Sequence, residues 1–286
     1  MISNCSHDEN GRYKDGKAGD QGGEWVVREW YNRPWSVVLR YPDLAAGREM
    51  AALARAAAEN DHIGYDQNDR YTFWKQLKST GDYDPAKITV DCEADCSSGV
   101  AAIIKAAGYR LGIEKLTKMS IYAYTGDLRY RATSIGFNAL TESKYLESDA
   151  YLLPGDILLY DGHHTCINLD EGKSAKDRPT IYKGYKDSQQ GGDWCAVMQS
   201  GLNQVMDAKL AVDGSCGPAS DSAIRMFQIT YGLVLDGRFG PKSWAKLDEM
   251  LQRNLKHVKT IPEGDYEYDQ VVDGLYHIKD LDIWVR

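Results

Sequence analysis

The 286-residue chain has no apolar run approaching the roughly 18 uninterrupted residues of a membrane-spanning helix. Its opening MISNCSHDENG has no basic stretch followed by an apolar core, as a secretory leader would. Positive charge is also short: 34 Lys and Arg stand against 42 Asp and Glu, for a net charge of -8. That balance disfavours sequence-independent binding to phosphate backbones or anionic membranes. The six cysteines are too sparse and too irregularly spaced for a disulfide scaffold, so a reducing site of synthesis is expected. Phenylalanine is scarce, at 4 residues against 19 Tyr and 7 Trp, a tilt that suits sugar-stacking grooves and half-buried strands alike. These absences predict synthesis in the cytoplasm, with neither nucleic acid nor a membrane as partner, and a monomer is expected.

What is present divides the chain into a larger and a smaller unit, as its length allows. β-favouring runs at 24–31 and 35–40 predict two strands. The alanine-, leucine-, arginine- and glutamate-rich stretch 44–59 predicts a helix with Gly47 as its weak point. Tyr71, Phe73, Trp74 and Leu77 fit a short amphipathic helix. Val100, Ile103, Ile104 and Ala107 recur at helical spacing just after Cys96, and Gly108 is expected to close that helix. Pro154-Gly155-Asp156 reads as a turn into a buried strand, Ile157 to Tyr160, with His164 to Leu169 as its hairpin partner. Gln189-Gln190-Gly191-Gly192 is the expected domain boundary.

Beyond it the sequence repeats itself: Asp213-Gly214, Gly217-Pro218 and Ser220 are echoed by Asp236-Gly237, Gly240-Pro241 and Ser243. In each copy Asp-Gly forms a tight turn and proline opens a helix, where its missing N–H costs nothing. The first helix should bury Ala223, Ile224, Phe227 and Tyr231, and the second Trp244, Leu247 and Leu251, giving a small helical bundle. The tail 256–286 alternates apolar residues at Tyr276, Ile278, Leu281, Ile283 and Val285, which suggests a strand of unassigned role.

Cys96 stands at the start of an amphipathic helix, where unpaired N–H groups and the helix dipole favour a thiolate over a thiol. Taken alone it reads more readily as a small buried core residue. A nucleophilic cysteine needs a base, and His163-His164 opens the strand of the hairpin, so the pair fits a papain-like arrangement.

These segments resemble the NlpC/P60 cysteine peptidases. Asp95-Cys96-Ser97-Ser98 is similar to that family's Asp-Cys-Ser signature, Pro154-Gly155-Asp156-Ile157 to its Pro-Gly-Asp-Leu strand, and His164 to Leu169 to its His-Val-Gly-Ile-Tyr-Leu strand. The resemblance, covering most of 44–170, implies an α+β papain-like fold and cleavage of peptidoglycan stem amides through a thioester on Cys96, with His164 as base. It implies no cofactor. The stretch 63–74 resembles the segment that precedes the cysteine in endolysins of phages of Gram-positive hosts. The strand that carries the family's third catalytic residue does not follow Leu169. Instead Ile2 to Gly11, Gly19 to Gly23 and Trp30 to Trp35 resemble that missing piece, which predicts a circular permutation with Asn4 orienting His164 and His7 as second choice. Tyr65 is the implied second oxyanion donor. Asp95, Ser97 and His163 are expected to contact substrate, and Trp25, in the cluster with Trp30, Tyr31 and Trp35, either lines a glycan groove or packs between strands.

The C-terminal repeat resembles peptidoglycan-binding domain 1, which makes Asp213 and Asp236 candidate wall contacts and bacterial peptidoglycan the partner. The expected organisation is a catalytic domain over 1–190 (permuted strands 1–43, core 44–170, linker 171–190), a three-helix binding module over 191–255 and a tail over 256–286. Such a protein would be made without a leader and act at the cell wall as a γ-D-glutamyl endopeptidase or an N-acetylmuramoyl-L-alanine amidase. Two alternatives are a non-catalytic wall binder and a zinc amidase using Cys92, Cys96, His163 and His164, although Cys-x3-Cys is loose for zinc and adjacent histidines face opposite sides of a strand. His62 and His277 sit in no constellation.

Overall fold

A computed structural model describes residues 1–173 and 178–257, together with three strands in the tail, 268–272, 275–278 and 283–285. The strands are β1 Ile2–Cys5, β2 Trp25–Arg28, β3 Val37–Arg40, β4 Ile63–Tyr65, β5 Cys92–Ala94, β6 Asn138–Leu140, β7 Ile157–Tyr160, β8 His164–Asn168, β9 Tyr268–Val272, β10 Leu275–Ile278 and β11 Ile283–Val285. The α-helices are α1 Leu44–Ala58, α2 Thr72–Ser79, α3 Cys96–Leu111, α4 Glu114–Thr117, α5 Leu128–Ser134, α6 Ser143–Leu146, α7 Asp187–Gln190, α8 Trp194–Met206, α9 Pro218–Thr230 and α10 Pro241–His257.

The larger unit is an antiparallel sheet in the order β2-β1-β8-β7-β3-β6. Period-two alternation splits its side chains between two cores. Val37, Leu39, Ile157, Leu159 and Ile167 pack with α1 and α3, whereas Val38, Leu158 and Cys166 join Ile2, Trp35 and Tyr145 on the opposite face. The N-terminal strand lies inside this sheet, with Ser3 paired to Ile167 of β8 and to Val27 of β2. Gly47 has a packing reason: a Cβ there would come within 2.6 Å of the Pro154 carbonyl, so α1 can lie against the turn before β7 only as glycine. Helix α3 starts at Cys96 itself and runs through Gly108. Its stop is Gly112, whose φ of 67° forms the left-handed cap that Gly108 was expected to supply.

In the smaller unit α9 and α10 both carry proline in the first turn, and Ile224, Phe227, Trp244, Leu247 and Leu251 are buried together, with Tyr231 half-buried beside them. The sequence repeat has a structural counterpart that the sequence did not disclose. Gln199 Nε2 donates to Asp213 Oδ1 (2.9 Å) and to the Ser215 carbonyl (3.1 Å), while its Oε1 accepts from Gly214 N (3.0 Å). Gln228 does the same for the second turn, with Asp236 Oδ1 at 2.8 Å, the Arg238 carbonyl at 3.1 Å and Gly237 N at 3.0 Å. A buried glutamine thus clasps each Asp-Gly turn from the preceding helix.

The expected solvated linker at 189–192 is instead tethered. Gly192 N donates to Glu142 (2.8 Å), and the next residue, Asp193, is buried against Arg40 of the sheet at 3.2 Å. Ile181 and Tyr185, placed in the linker by sequence, belong to the core of the smaller unit, which also takes Leu44 and Leu153 from the larger one. Apolar residues spaced too irregularly to register as an element hold this segment down. The tail forms an antiparallel meander, β9-β10-β11, in which His277 pairs with Trp284, and Leu281 lies outside the described residues. Among the described residues no helix is long and apolar enough to cross a membrane.

Candidate active site

The start of α3 is over-determined. Asp95 caps it by accepting from Ser97 N (2.9 Å) and Ser98 N (2.7 Å), and Ser98 Oγ accepts in return from Asp95 N (2.9 Å), a reciprocal capping box. Arg70 then clamps the cap: its Nε pairs with Asp95 at 3.0 Å, and its Nη2 reaches Ser97 Oγ (3.0 Å) and the Ala123 carbonyl (2.6 Å). Asp95 and Ser97, expected to touch substrate, thus hold the start of the helix that carries Cys96. Arg70 was missed because nothing in its local pattern marks it. Only the fold brings it to Asp95.

His164 opens β8, and its Nε2 lies 2.8 Å from Asn4 Oδ1. The strand register explains the meeting. Ser3 pairs with Ile167, so one step further Asn4 stands opposite Cys166, and residues 164 and 166 share a face. Since a carbonyl oxygen only accepts, Nε2 carries the proton and Nδ1 is free as a base. Asn4 Oδ1 also accepts from the Tyr31 hydroxyl (3.4 Å), and the Trp35 ring lies 6.2 Å from the His164 ring. His7, the second choice, is exposed and holds the Asp8 carbonyl instead (2.9 Å).

The Cys96 sulfur lies within reach of the backbone N–H of Thr165, the residue after His164. Both groups thus sit at the opening of β8, although no hydrogen bond joins the sulfur to the His164 ring among the described residues. Burial pushes the Cys96 thiol up to about 12, with the Asp95 charge adding to it and the Thr165 amide and Arg70 opposing it. Burial, then Arg33 and Arg28, push His164 down to about 4. Both shifts favour the neutral thiol and the neutral imidazole, so desolvation of the buried sulfur opposes the stabilisation expected from the helix terminus. Tyr65 is buried near Cys96, its phenol raised by burial and then by that neighbour; its oxygen accepts from Gln67 Nε2 (3.1 Å), which leaves its proton available to a ligand.

The other expected contacts separate. Trp25 is a core residue, edge-on to Phe73 at 5.2 Å with Nε1 donating to Ser3 Oγ (2.8 Å), so strand packing wins over a glycan groove. His163 points outward and stacks on Tyr160 at 4.1 Å. Asp213 and Asp236 accept from Ser215 N and Arg238 N, both at 2.9 Å, besides their glutamines, so both hold their turns, and Asp236 also lines a surface cavity with Leu233, Val234 and Arg238. His62 pairs with Asp91 at 2.6 Å. The four residues of the zinc alternative do not converge: Cys92 faces the His62 carbonyl (3.5 Å) while His163 and His164 face opposite ways. Among the described residues no three His, Cys, Asp or Glu side chains group as a metal site.

Comparison with known proteins gives two family matches: the endolysin-like domain over residues 2–175 and a peptidoglycan binding domain over 195–247. A zinc D-Ala-D-Ala carboxypeptidase of Streptomyces albus G is 44% identical over 43 residues, 15% of this chain and 17% of that protein. The chain thus spans less than a fifth of that relative. No solved structure matches. With more than half of its length matched, the chain belongs to the endolysin-like domain family.

Proposed function

We propose that the larger unit is a cysteine amidase or endopeptidase of the peptidoglycan stem, a permuted relative of the NlpC/P60 enzymes, held on its insoluble substrate by the C-terminal module. The observation that carries this is the 2.8 Å bond from His164 to Asn4, which leaves an unprotonated ring nitrogen at the strand opening where Cys96 also sits. His164 Nδ1 takes the thiol proton as Cys96 sulfur bonds to the amide carbon. The tetrahedral oxyanion is met by the Cys96 backbone N–H and the Tyr65 hydroxyl. Collapse breaks the C–N bond, and the proton on His164 passes to the leaving amine. Water, deprotonated by the same imidazole, then hydrolyses the thioester. Asn4 holds the ring in the required tautomer throughout. Attachment through the binding module raises the local substrate concentration without new contacts at the site.

Purified cell walls test this. Wild type should clear their turbidity, while Cys96→Ala should lose clearing and still sediment with the walls. Wild type that binds without clearing would make the protein a wall binder, and clearing that survives Cys96→Ala would reject the cysteine mechanism. Mass spectrometry of the released fragments then identifies the bond.

A further inference from the structure

Two arginines beside the base have no carboxylate of their own. The Arg28 guanidinium lies over the Tyr31 ring at 4.6 Å, and Arg33 Nη1 donates to the Tyr31 hydroxyl (3.2 Å) with its guanidinium 5.9 Å from the Tyr160 ring. Tyr31 in turn donates to Asn4 Oδ1, the atom that holds His164. Neither guanidinium forms an ion pair among the described residues, whereas Arg40, Arg70, Arg110 and Arg178 each do. Two cations without an ion pair among the described residues thus converge on one tyrosine next to the base. Arg28 is exposed and Arg33 half-buried, so both are open to a ligand.

We infer that Arg28 and Arg33 form an anion subsite that takes a free carboxylate of the peptide stem and so positions the scissile amide over Cys96. This rests on the reading of the site as a stem hydrolase and names its preferred substrate as the acidic, non-amidated stem. The guanidinium fork matches a carboxylate with two parallel hydrogen bonds, and tyrosine rings on which both cations rest hold them in one orientation. A γ-linked glutamate leaves its α-carboxylate free next to the peptide bonds of the stem, which supplies an anion of the right class. Amidation of that carboxylate removes the charge and one acceptor. The same cations oppose a proton on His164, so an anion seated on them also eases proton uptake by the base.

The test compares two stem peptides differing only in a free or an amidated glutamate α-carboxylate. Binding is measured on Cys96→Ala protein, which keeps its outcome independent of whether the bond is cut; the clearing assay on wild type judges the hydrolase reading separately. The carboxylate form should bind about tenfold more tightly, equivalent to roughly 1.4 kcal/mol. Arg28→Gln/Arg33→Gln should bring the two forms within about twofold, and Arg33→Lys should keep part of the preference, because it retains charge without the fork. Equal binding of the two peptides to the parent, or a preference that persists in the double glutamine variant, would overturn the subsite.

Discussion

Asn4 and His164 are 160 positions apart, yet Asn4 Oδ1 and His164 Nε2 lie 2.8 Å from each other because β1 pairs directly with β8. The N-terminal strand therefore supplies a group that holds the ring, and removing that group should act on turnover more than on folding. Asn4→Ala is expected to lower kcat by about 10- to 100-fold. Asn4→Asp is the informative companion. An anionic partner favours the imidazolium, so the acid limb of the pH–rate profile should move to higher pH. A profile unmoved in Asn4→Asp, with full activity in Asn4→Ala, would remove Asn4 from the site.

The thiol can be interrogated directly. Burial pushes Cys96 up to about 12 and His164 down to about 4, both shifts favouring SH and a neutral ring at neutral pH. Alkylation by iodoacetamide should therefore keep rising through the alkaline range with no plateau near neutrality, since only the thiolate reacts. A plateau below pH 8 would mean that a thiolate–imidazolium pair already exists at rest.

Much of this assembly could be read from local pattern. The helix at 44–58, the hairpin of β7 and β8, the cysteine at a helix start and the doubled Asp-Gly turn all rest on spacing within a few residues, which short-range physics fixes. What escaped the sequence is long-range pairing of polar groups. Arg70 on Asp95, Gln199 on the turn at 213–215 and Arg40 on Asp193 carry no periodic signature, and their partners are identified only once the chain is folded. Asp95, Ser97, Asp213 and Asp236 show the same limit: a polar residue in a motif can serve the turn or the cap, and only the fold reveals that duty. For Cys96 the helix terminus was visible in the sequence, and the depth of burial that opposes a thiolate was not.

Arg40 ties the two units together. It meets Asp156 through Nε (2.8 Å) and Nη2 (2.6 Å) and Asp193 through Nη1 (3.2 Å), with all three side chains buried. Arg40→Met leaves two buried carboxylates without a cation, and should cost about 3–5 kcal/mol in urea denaturation. Adding Asp156→Asn and Asp193→Asn should recover most of that, because the penalty lies in the uncompensated charges. A loss below about 1 kcal/mol in the single variant would show that water reaches the triad.

Glu93 supplies a pH signature of opposite sign to that of His164. Its side chain is buried with neither carboxylate oxygen engaged by a side-chain hydrogen bond, and burial, followed by the charge of Glu24, lifts it from 4.5 to about 9. Below pH 4.5 the group is protonated in both folded and unfolded chains and costs nothing. As pH rises through the interval to about 9, the unfolded chain releases a proton that the folded chain retains, so folded stability falls. His164, depressed to about 4, costs stability only as pH falls below its ordinary 6.5. Glu93→Gln keeps a neutral side chain of the same shape at every pH. Its melting temperature should match wild type near pH 4 and exceed it increasingly toward pH 9, by the equivalent of ~1–3 kcal/mol. Parallel melting curves for the two proteins across that range would show that Glu93 is ionised and solvated in the folded chain.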